Sequence, residues 1–595
     1  MKKTLLILCL TAFGAAGGGC GRIQQAVRNR TTQAPVIFQQ PISHAAMAGN
    51  AATFEVLARS LWPLRYQWLR NGAEIPGATA VRYTLPHATQ GDDGARFQVR
   101  ISNWRSTVFS DTAQLRVVVP ESRPAPEFPL KVSSNGRYLV DQKDTPFRIQ
   151  GEAAWSLIAN LTYAEANEYL DNRRAKGFNT VLAELMEHKY AQGGQGADLK
   201  GVPKNRNGDL PFLKSARGGA YDGTWGTADF SAPNDAYFAF GDSIVDLAAK
   251  KGMLVELVPM FLGFNGDEAG WWADLNNSAN TRDVVYRLGL YIGKRYKDRR
   301  NIIWMIGGDH FPPPGSEGEA RLLKLLEGIK AAGARQLWSG DWKASSLSTD
   351  EELFAPNMDL NGVYTYGMLG HTGATYDEAK AGYAHSPAMP AYLKETGYEN
   401  ERIIAGDPAS VRMYHYYAAL GGATAGAFFG TRDVWKFQTE NWWMERNGSG
   451  HGTWKQSMES IGSFDFLFLG RLLDSLPWYD LVPSGMAGMK QLIVAGAGNY
   501  STTNFVVSAA TADGKALIAY VPPTRPSPAS ITVDMTALHQ PVFALWFDPT
   551  SGLSSAVRAN PFPNSGTATF TTPGKNARGE SDWVLVLQEN WNAPK

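Results

Sequence analysis

Residues 301–315 read NIIWMIGGDHFPPPG, and this stretch indicates the fold. Mostly apolar residues suited to a buried strand are followed by two glycines, Asp309, His310 and a run of prolines. In the loop that follows the strand, Asp309 would either form an Asx turn or present a carboxylate at the strand end. The rest of the chain decides between these alternatives.

Around this stretch, apolar strands alternate with amphipathic helices. Thr162 with Glu165, and Ser316 with Glu319, are spaced as capping boxes that open two helices. The alternation predicts an α/β TIM (β/α)8 barrel over residues 130–473. Its eight strands are expected in the segments GEAAWSL, FNTVLAEL, GMLVELVPMF, NIIWMIGGD, RQLWSGD, LNGVYTYG, PAYLKETGYE and GATAGAFFG.

Catalytic groups of such barrels lie at the carboxyl ends of the strands. Asp309 ends the fourth strand and Glu395 ends the seventh. Retaining glycoside hydrolysis needs two carboxyl groups about 5–5.5 Å apart, one to protonate the leaving oxygen and one to attack the anomeric carbon, whereas an inverting enzyme holds them farther apart. We also expect the two glycines to let the backbone approach substrate.

Further candidate side chains lie at or just past strand ends. The aromatic ones could stack on a sugar or pack the loops: Trp155, Trp342, Tyr366, Tyr398 and Trp435. His310 could bind a hydroxyl or be structural, and Asp341 could bind a hydroxyl or cap the next helix. The nine histidines form no HExxH, paired-cysteine or calcium-loop spacing, so we expect no metal and no cofactor.

The N-terminus has the pattern of a signal peptide over residues 1–20. Lys2 and Lys3 precede an apolar run, and small residues lead to Cys20. We expect a bacterial lipoprotein signal with Cys20 as the lipidated residue, at the outer membrane or cell surface. The alternative is plain export to the periplasm or the medium. Because the other cysteine, Cys9, lies inside the signal, the mature chain forms no internal disulfide.

Residues 21–34 are a polar tether, and short alternating strands in residues 35–119 resemble a cysteine-free immunoglobulin-like β-sandwich with Trp68 as its core tryptophan. Residues 120–129 are a proline-rich linker, and residues 474–595 predict a C-terminal β-sandwich. The net charge of +1 gives no indication of nucleic-acid binding. The prediction is therefore a multidomain protein that contacts a membrane only through its lipid anchor.

Several segments together carry a family resemblance: PFRIQGEAAWSL, GFNTV, NIIWMIGGDH, KETGYE, YYAALGGATAGAFFG, LWFDPTSG and DWVLVL. They resemble the apiosidase-like (β/α)8 glycoside hydrolases, whose barrel is followed by a β-domain labelled as a collagen-binding domain of a collagenase. The resemblance implies that Asp309 is the acid/base and Glu395 the nucleophile. Glu399 is the alternative nucleophile; otherwise it orients the site by pairing with a base such as Arg412. Glu152 stands where many relatives have aspartate.

The resemblance implies a secreted or surface-tethered retaining glycoside hydrolase. Its substrate would be a plant cell-wall, pectic or related polysaccharide, with release of apiose from rhamnogalacturonan-type pectin. The alternative is a non-catalytic glycan- or matrix-binding protein on a barrel scaffold. We expect the C-terminal sandwich to support the barrel, with glycan binding as the second possibility.

Overall fold

The computed structural model describes residues 34–120, 123–187, 202–366, 374–401, 407–439 and 453–590. The predicted signal peptide and its lipidation site, Cys20, lie outside these ranges. The chain forms two compact units, Met1–Val118 and Val119–Lys595. Within the described ranges, no helix combines the length and apolar character needed to cross a membrane.

The first unit is built from short β-strands around Trp68. The side chain of Trp68 is fully buried, pairs across the sheet with Val99, and packs in one core with Phe54 and Phe97. This is the core tryptophan that the sequence predicts. The strands are Val36–Gln39, His44–Met47, Ala52–Glu55, Leu57–Arg59, Arg65–Arg70, Ala73–Glu74, Arg82–Leu85, Arg96–Ser102, Thr107–Phe109 and Ala113–Val118.

The second unit begins with a three-stranded lead-in sheet and continues as an eight-stranded parallel barrel. The lead-in strands are Lys131–Val132, Leu139–Val140 and Pro146–Phe147. The barrel strands, first to eighth, are Ile149–Ala153, Thr180–Glu184, Leu254–Val258, Ile302–Gly307, Trp338–Asp341, Asn361–Thr365, Ala391–Thr396 and Gly426–Phe429. All eight predicted strands are present in the predicted order, and the strand at NIIWMIGGD is the fourth.

Ser348 connects the fifth and sixth strands and so closes the barrel. Its hydroxyl accepts hydrogen bonds from the backbone N–H of Gly340 at 3.0 Å and of Gly362 at 2.9 Å, and it donates to the carbonyl of Gly340 at 2.7 Å. A two-residue strand, Ser346–Leu347, lies antiparallel to the sixth strand at this point. One side chain thus satisfies backbone groups that would otherwise lack a ladder partner.

Helices surround the barrel and start where the capping residues predict. The hydroxyls of Thr162 and Ser316 accept from the backbone N–H of Glu165 and Glu319, and the first pair forms the full capping box. The helices are Leu157–Asn160, Tyr163–Ala175, Asp235–Lys250, Trp272–Asn276, Arg282–Tyr296, Glu317–Ala331, Ala374–Ala384, Pro408–Gly421, Arg432–Trp435, Trp454–Ser457 and Ile461–Asp474.

The C-terminal part is a β-sandwich with a buried aromatic core. Its larger sheet contains Leu481–Pro483, Val507–Thr511, Ala516–Val521, Trp583–Gln588, Phe543–Phe547 and Ser554–Ala556 in spatial order. The smaller sheet contains Ile493–Ala495, Ser530–Asp534 and Thr567–Thr571. The two sheets share a core that includes Trp546, Phe570 and Trp583.

The sandwich packs on the barrel helix Pro408–Gly421. The ring of Tyr416 stacks on that of Tyr520 in the sandwich, with centroids 4.4 Å apart and an interplanar angle of 3°. The hydroxyl of Tyr520 donates to Asp582 Oδ2 at 2.9 Å. Aromatic stacking thus joins the two parts of the second unit, and the hydrogen bond to Asp582 fixes Tyr520 within the sandwich.

A buried ionic network lies at the centre of this contact. Arg412 donates to Asp582 at 2.7 Å, to Asp465 at 2.6 Å, and to Glu580. Arg578 binds Asp465 through two nitrogens, at 2.8 and 2.6 Å. Although burial raises the pKa of Asp465, the charges of Arg578 and Arg412 hold that pKa below its ordinary value. Each charge in the network therefore depends on its partners.

Replacing Arg412 by methionine is expected to destabilise the second unit by about 3–5 kcal/mol, because it leaves buried carboxylates without a counter-ion. The measurement is the midpoint of urea unfolding followed by tryptophan fluorescence. Arg287→Met is the matched control, since Arg287 pairs with Asp283 on an exposed helix face, where an ion pair contributes little. Equal midpoints for both variants would contradict the network's role.

Candidate active site

The turn after the fourth strand presents Asp309 at the carboxyl end of the barrel. Gly307, Gly308 and Asp309 have φ angles of +97°, +126° and +51°. A Cβ on Gly307 would lie 2.0 Å from the carbonyl oxygen of Asp341, and one on Gly308 would lie 2.2 Å from the ring of Phe261. A side chain at either position would therefore clash with a neighbouring segment, so both positions require glycine. This packing requirement differs from the predicted role, in which the glycines let the backbone approach substrate. A positive φ at Asp309 is uncommon for a residue with a side chain and is concentrated at functional sites.

Asp309 is held by two neighbours. The hydroxyl of Tyr364, on the sixth strand, donates to Asp309 Oδ1 at 2.5 Å. The backbone N–H of Asn265 donates to the carbonyl oxygen of Asp309 at 3.0 Å. Tyr364 is almost fully buried, whereas Asp309 remains partly exposed. The carboxyl group is thus fixed in orientation while it stays accessible to a ligand.

A β-bulge in the seventh strand aims Glu395. Val363 of the sixth strand is paired with Leu393, but the next residue, Tyr364, is paired with Glu395, so Lys394 is the extra residue. A bulge interrupts the alternation by which successive side chains point to opposite faces. Lys394 and Glu395 therefore both interact with groups at the carboxyl end of the barrel.

A chain of hydrogen bonds fixes Glu395. The indole N–H of Trp155 donates to the hydroxyl oxygen of Tyr398 at 2.8 Å, and that hydroxyl donates to Glu395 Oε1 at 2.6 Å. All three side chains are less than a tenth exposed. Because the tyrosine hydroxyl can donate only one hydrogen, the tryptophan ensures that it is directed at the carboxylate.

Burial and neighbouring carboxylates raise the pKa values of three carboxyl groups at the site. Burial and the charge of Asp341 raise the pKa of Asp309 to about 7. Burial and the charges of Asp309 and Asp341 raise the pKa of Glu395 well above its ordinary value. At the end of the second strand, burial and the charge of Asp309 do the same to the pKa of Glu184. Since Asp309 and Glu395 interact, their protons belong to the pair rather than to either residue.

Asp341 and Trp342 lie beneath the site rather than in it. Both side chains are fully buried. Asp341 forms an ion pair with Lys394, so it acts neither as a helix cap nor at an exposed surface. The indole N–H of Trp342 donates to the carbonyl of Ser348 at 3.0 Å, and its ring packs against Phe311. Of the two open alternatives for Trp342, the structure favours packing.

Aromatic side chains line the wall next to Glu395. Tyr366 meets Tyr398 edge to face at 6.1 Å, and Trp435 lies parallel to Tyr398 at 6.4 Å. Tyr366 and Trp435 are partly exposed, whereas Trp155 and Tyr398 are nearly buried. The hydroxyl of Tyr366 donates to Glu401. The predicted aromatic residues other than Trp342 therefore converge on one side of the cleft.

The opposite wall follows Asp309. His310 contacts the ring of Trp272 at 4.5 Å, and its Nε2 is buried without a hydrogen-bond partner in the described part of the chain. Burial lowers the pKa of His310, which favours the neutral imidazole. Phe264, next to the Asn265 that binds Asp309, is 56% exposed. The imidazole of His310 and the exposed ring of Phe264 therefore lie on the same side of the cleft as Asp309.

Glu399 points away from the cleft. Its Oε1 accepts from the backbone N–H of Gly462 at 3.0 Å, at the start of the helix Ile461–Asp474, and its side chain is buried. Burial raises the pKa of Glu399 to about 7. The prediction that Glu399 pairs with Arg412 is wrong, because the hydrogen bonds of Arg412 go to Asp465 and to the sandwich. Arg412 is fully buried there, away from any cleft surface.

Glu152, which occupies the position of an aspartate in many relatives, does not face the cleft. It forms an ion pair with Arg173 and accepts from the hydroxyl of Tyr169 at 2.5 Å, all three side chains being fully buried. The inward position beside it is Gly151, where a Cβ would lie 2.4 Å from the ring of Phe428. The side chain of Glu152 is therefore committed to Arg173 and Tyr169 rather than to the cleft.

Sequence reasoning missed three groups of the site. Glu184 and Tyr364 end the second and sixth strands, so the strand-end rule that selected Asp309 and Glu395 could have found them. Lys394 had no such signal, because a lysine inside an apolar strand is assigned to the face set by alternation, and the bulge changes that face.

A family model described as "Apiosidase-like, catalytic domain" matches residues 133–480. A second model, "Putative collagen-binding domain of a collagenase", matches residues 490–588. A solved structure titled "Glycoside hydrolase" superimposes with a TM-score of 0.61 at 20% identity, covering 78% of this chain and 99% of its own. A glycoside hydrolase family 5 structure from Bacteroides vulgatus gives a TM-score of 0.60 at 20% identity, covering 78% and 93%. At these identities the structural likeness establishes the fold. A search of curated proteins gives no match.

Proposed function

Because the chain belongs to the apiosidase-like family of glycoside hydrolases, we propose that it cleaves glycosidic bonds with retention of configuration, using Asp309 as acid/base and Glu395 as nucleophile. The observation that supports this assignment is the pair of carboxyl groups at the ends of the fourth and seventh strands, each bound by a tyrosine hydroxyl, with the pKa of Asp309 raised to about 7. Two-carboxylate glycoside hydrolysis needs one protonated and one ionised carboxyl group, and the hydrogen bond from Tyr398 favours the ionised form of Glu395.

In the first step, one oxygen of Glu395 attacks the anomeric carbon while Asp309 gives its proton to the glycosidic oxygen, and the bond between that carbon and oxygen breaks. Tyr398 occupies Glu395 Oε1, which leaves Oε2 for attack. Asp309 has the proton to give because burial and Asp341 raise its pKa to about 7.

In the second step, a water molecule attacks the glycosyl ester and Asp309 accepts its proton. Once Glu395 is esterified, its negative charge is gone, so the pKa of Asp309 falls and the carboxylate becomes the base. Departure of the sugar restores the carboxylate of Glu395, which again receives the hydrogen bond of Tyr398. Asp309 thus loses one proton to the leaving group in the first step and regains another from water in the second.

We propose a plant cell-wall polysaccharide of the pectic type as substrate, with apiose as the sugar released, on the strength of the family description. Tyr366 and Trp435 are placed to stack on the sugar that Glu395 attacks. His310 and Phe264 lie on the side of the leaving group. We further propose that the enzyme is exported and anchored through a lipid on Cys20.

The C-terminal sandwich supports the barrel in this proposal. The buried network around Arg412 attaches the sandwich to a barrel helix. Collagen binding would instead require an exposed surface of the sandwich that fits collagen. The alternative of a non-catalytic binding protein loses support, since a scaffold that only binds has no use for two neighbouring carboxyl groups, one of which raises the pKa of the other.

The stereochemical outcome tests the proposal. Pectic and hemicellulosic oligosaccharides are first screened for release of reducing ends, and the cleaved substrate is then followed by proton NMR. The first-formed product is expected to have the anomeric configuration of the bond that was cleaved. A first product of opposite configuration would indicate an inverting mechanism, in which Glu395 acts as the general base for water and does not attack the anomeric carbon. Failure of the wild type to release sugar from any oligosaccharide would support the binding protein.

A further inference from the structure

The first unit carries an excess of positive charge that ion pairs do not remove. Residues 34–118 contain eight arginines, no lysine and five acidic residues. Four of the arginines pair with four of the acidic residues: Arg70 with Asp92, Arg82 with Glu55, Arg100 with Glu74 and Arg116 with Asp93. Two of the remaining four, Arg65 and Arg105, lie close together along the backbone, because Arg65 is paired with Ser102 at the start of the loop that contains Arg105.

That region also exposes large apolar side chains. Leu61 is 75% exposed and Trp104 is 65% exposed, and Trp62 is partly exposed beside them. The rings of Trp62 and Trp104 meet at 5.3 Å and an angle of 82°, so they form a corner. The guanidinium of Arg105 lies 4.3 Å from the centre of the Trp104 ring. We call Leu61, Trp62, Arg65, Trp104 and Arg105 the loop patch.

Hydrogen bonds hold the loop patch in this arrangement. The side-chain amide of Asn103 donates to the hydroxyl of Ser60 at 2.9 Å, which ties the two loops together. The same hydroxyl accepts from the backbone N–H of Trp62 at 3.2 Å. Asn103 Oδ1 accepts from the backbone N–H groups of Arg105 and Ser106, each at 2.9 Å. A ligand would therefore meet the two tryptophans already positioned.

We propose that the loop patch binds an acidic polysaccharide, a chain of sugars that carry carboxylates. An indole face packs against the C–H face of a sugar ring, and a guanidinium binds a carboxylate through two parallel hydrogen bonds. Both kinds of group are present, with positive charge in excess. Five side chains are far fewer than the 20–30 residues per side, roughly, of a standard protein interface, but they match one or two sugar units.

Such a site would act by holding the enzyme on its substrate. Binding of one part of a polymer raises the effective concentration of the remainder for a second site on the same chain. The loop patch belongs to a different compact unit from the catalytic pair, so this inference does not depend on the roles of Asp309 and Glu395.

The test measures binding of the full chain, in the Glu395→Gln background so that no polymer is consumed, to polygalacturonate by affinity gel electrophoresis. Trp104→Ala and Arg105→Gln are each expected to weaken binding about tenfold. The matched control is Arg96→Gln, because Arg96 is exposed, forms no ion pair with any residue that the structure describes, and lies at the far end of the strand that leads to the patch. It is expected to bind as the parent does, and binding of the parent is expected to weaken as salt is added.

Fully methyl-esterified pectin and a neutral galactan are expected to bind at least tenfold more weakly than polygalacturonate. Equal losses in Arg96→Gln and Arg105→Gln would indicate general attraction by net charge and would overturn the proposal. Unchanged binding of polygalacturonate by Trp104→Ala would also overturn the proposal. So would a result in which Trp104→Ala loses capture of a protein but keeps its binding of polygalacturonate. Because Trp104 is largely exposed, its removal should leave the circular dichroism melting curve unchanged. In the wild-type background, Trp104→Ala should keep full activity on a small substrate.

Discussion

Glu395→Gln is expected to lower kcat by a factor on the order of 10^4 or more, because the amide keeps the shape of the side chain but cannot attack the anomeric carbon. The hydroxyl of Tyr398 can still donate to the amide oxygen, so the fold around the site should survive. The measurement is release of reducing ends from an oligosaccharide that the wild type cleaves, at enzyme concentrations high enough to detect the residual rate.

Glu399→Gln is the matched control for this prediction. Both glutamates are buried and belong to the same segment, but Glu399 binds the backbone N–H of Gly462 at the start of a helix. We expect Glu399→Gln to lose less than about tenfold in kcat, since an amide oxygen can accept the same hydrogen bond. If Glu399→Gln were as inactive as Glu395→Gln, the assignment of the nucleophile would fail.

Asp309→Ala is expected to lower kcat/KM on the natural linkage by about 10²–10⁴-fold, the contribution of a positioned proton donor. The loss should be much smaller on an aryl glycoside with a good leaving group, because such a group departs without a proton in the first step. The comparison of both substrates in one variant is the measurement. Equal impairment on both would contradict an acid/base role for Asp309.

The pH profile gives a second readout for the same residue. The acid works in its protonated form, and burial with the charge of Asp341 raises the pKa of Asp309 to about 7. Wild-type kcat/KM should therefore fall as pH rises through the neutral range, and this alkaline limb should be lost in Asp309→Ala. The exposed neighbour Asp267 offers a control: its charge contributes less than that of Asp341 to the raised pKa of Asp309, so Asp267→Asn should retain the limb. If the alkaline limb persisted in Asp309→Ala, a group other than Asp309 would be responsible for it.

Local signals in the sequence identified most of the barrel. Strand apolarity and capping residues such as Thr162 and Ser316 are properties of a few neighbouring residues, and the structure has the eight strands and both caps as predicted. The carboxyl-end rule then located Asp309 and Glu395, since it needs only the positions at which the fourth and seventh strands end. Fold class, strand order and the catalytic pair could thus be proposed without coordinates.

The tertiary structure alone decided what these residues face. The bulge at Lys394 results from pairing with the sixth strand, which no pattern within the seventh strand records. Arg412 was predicted as a partner of Glu399, but the printed partners of both residues come from residues 460 to 582. Side-chain partners depend on long-range packing, whereas strands and caps depend on adjacent residues. The sequence by itself therefore determined which elements form, and only the folded chain determined which charges meet.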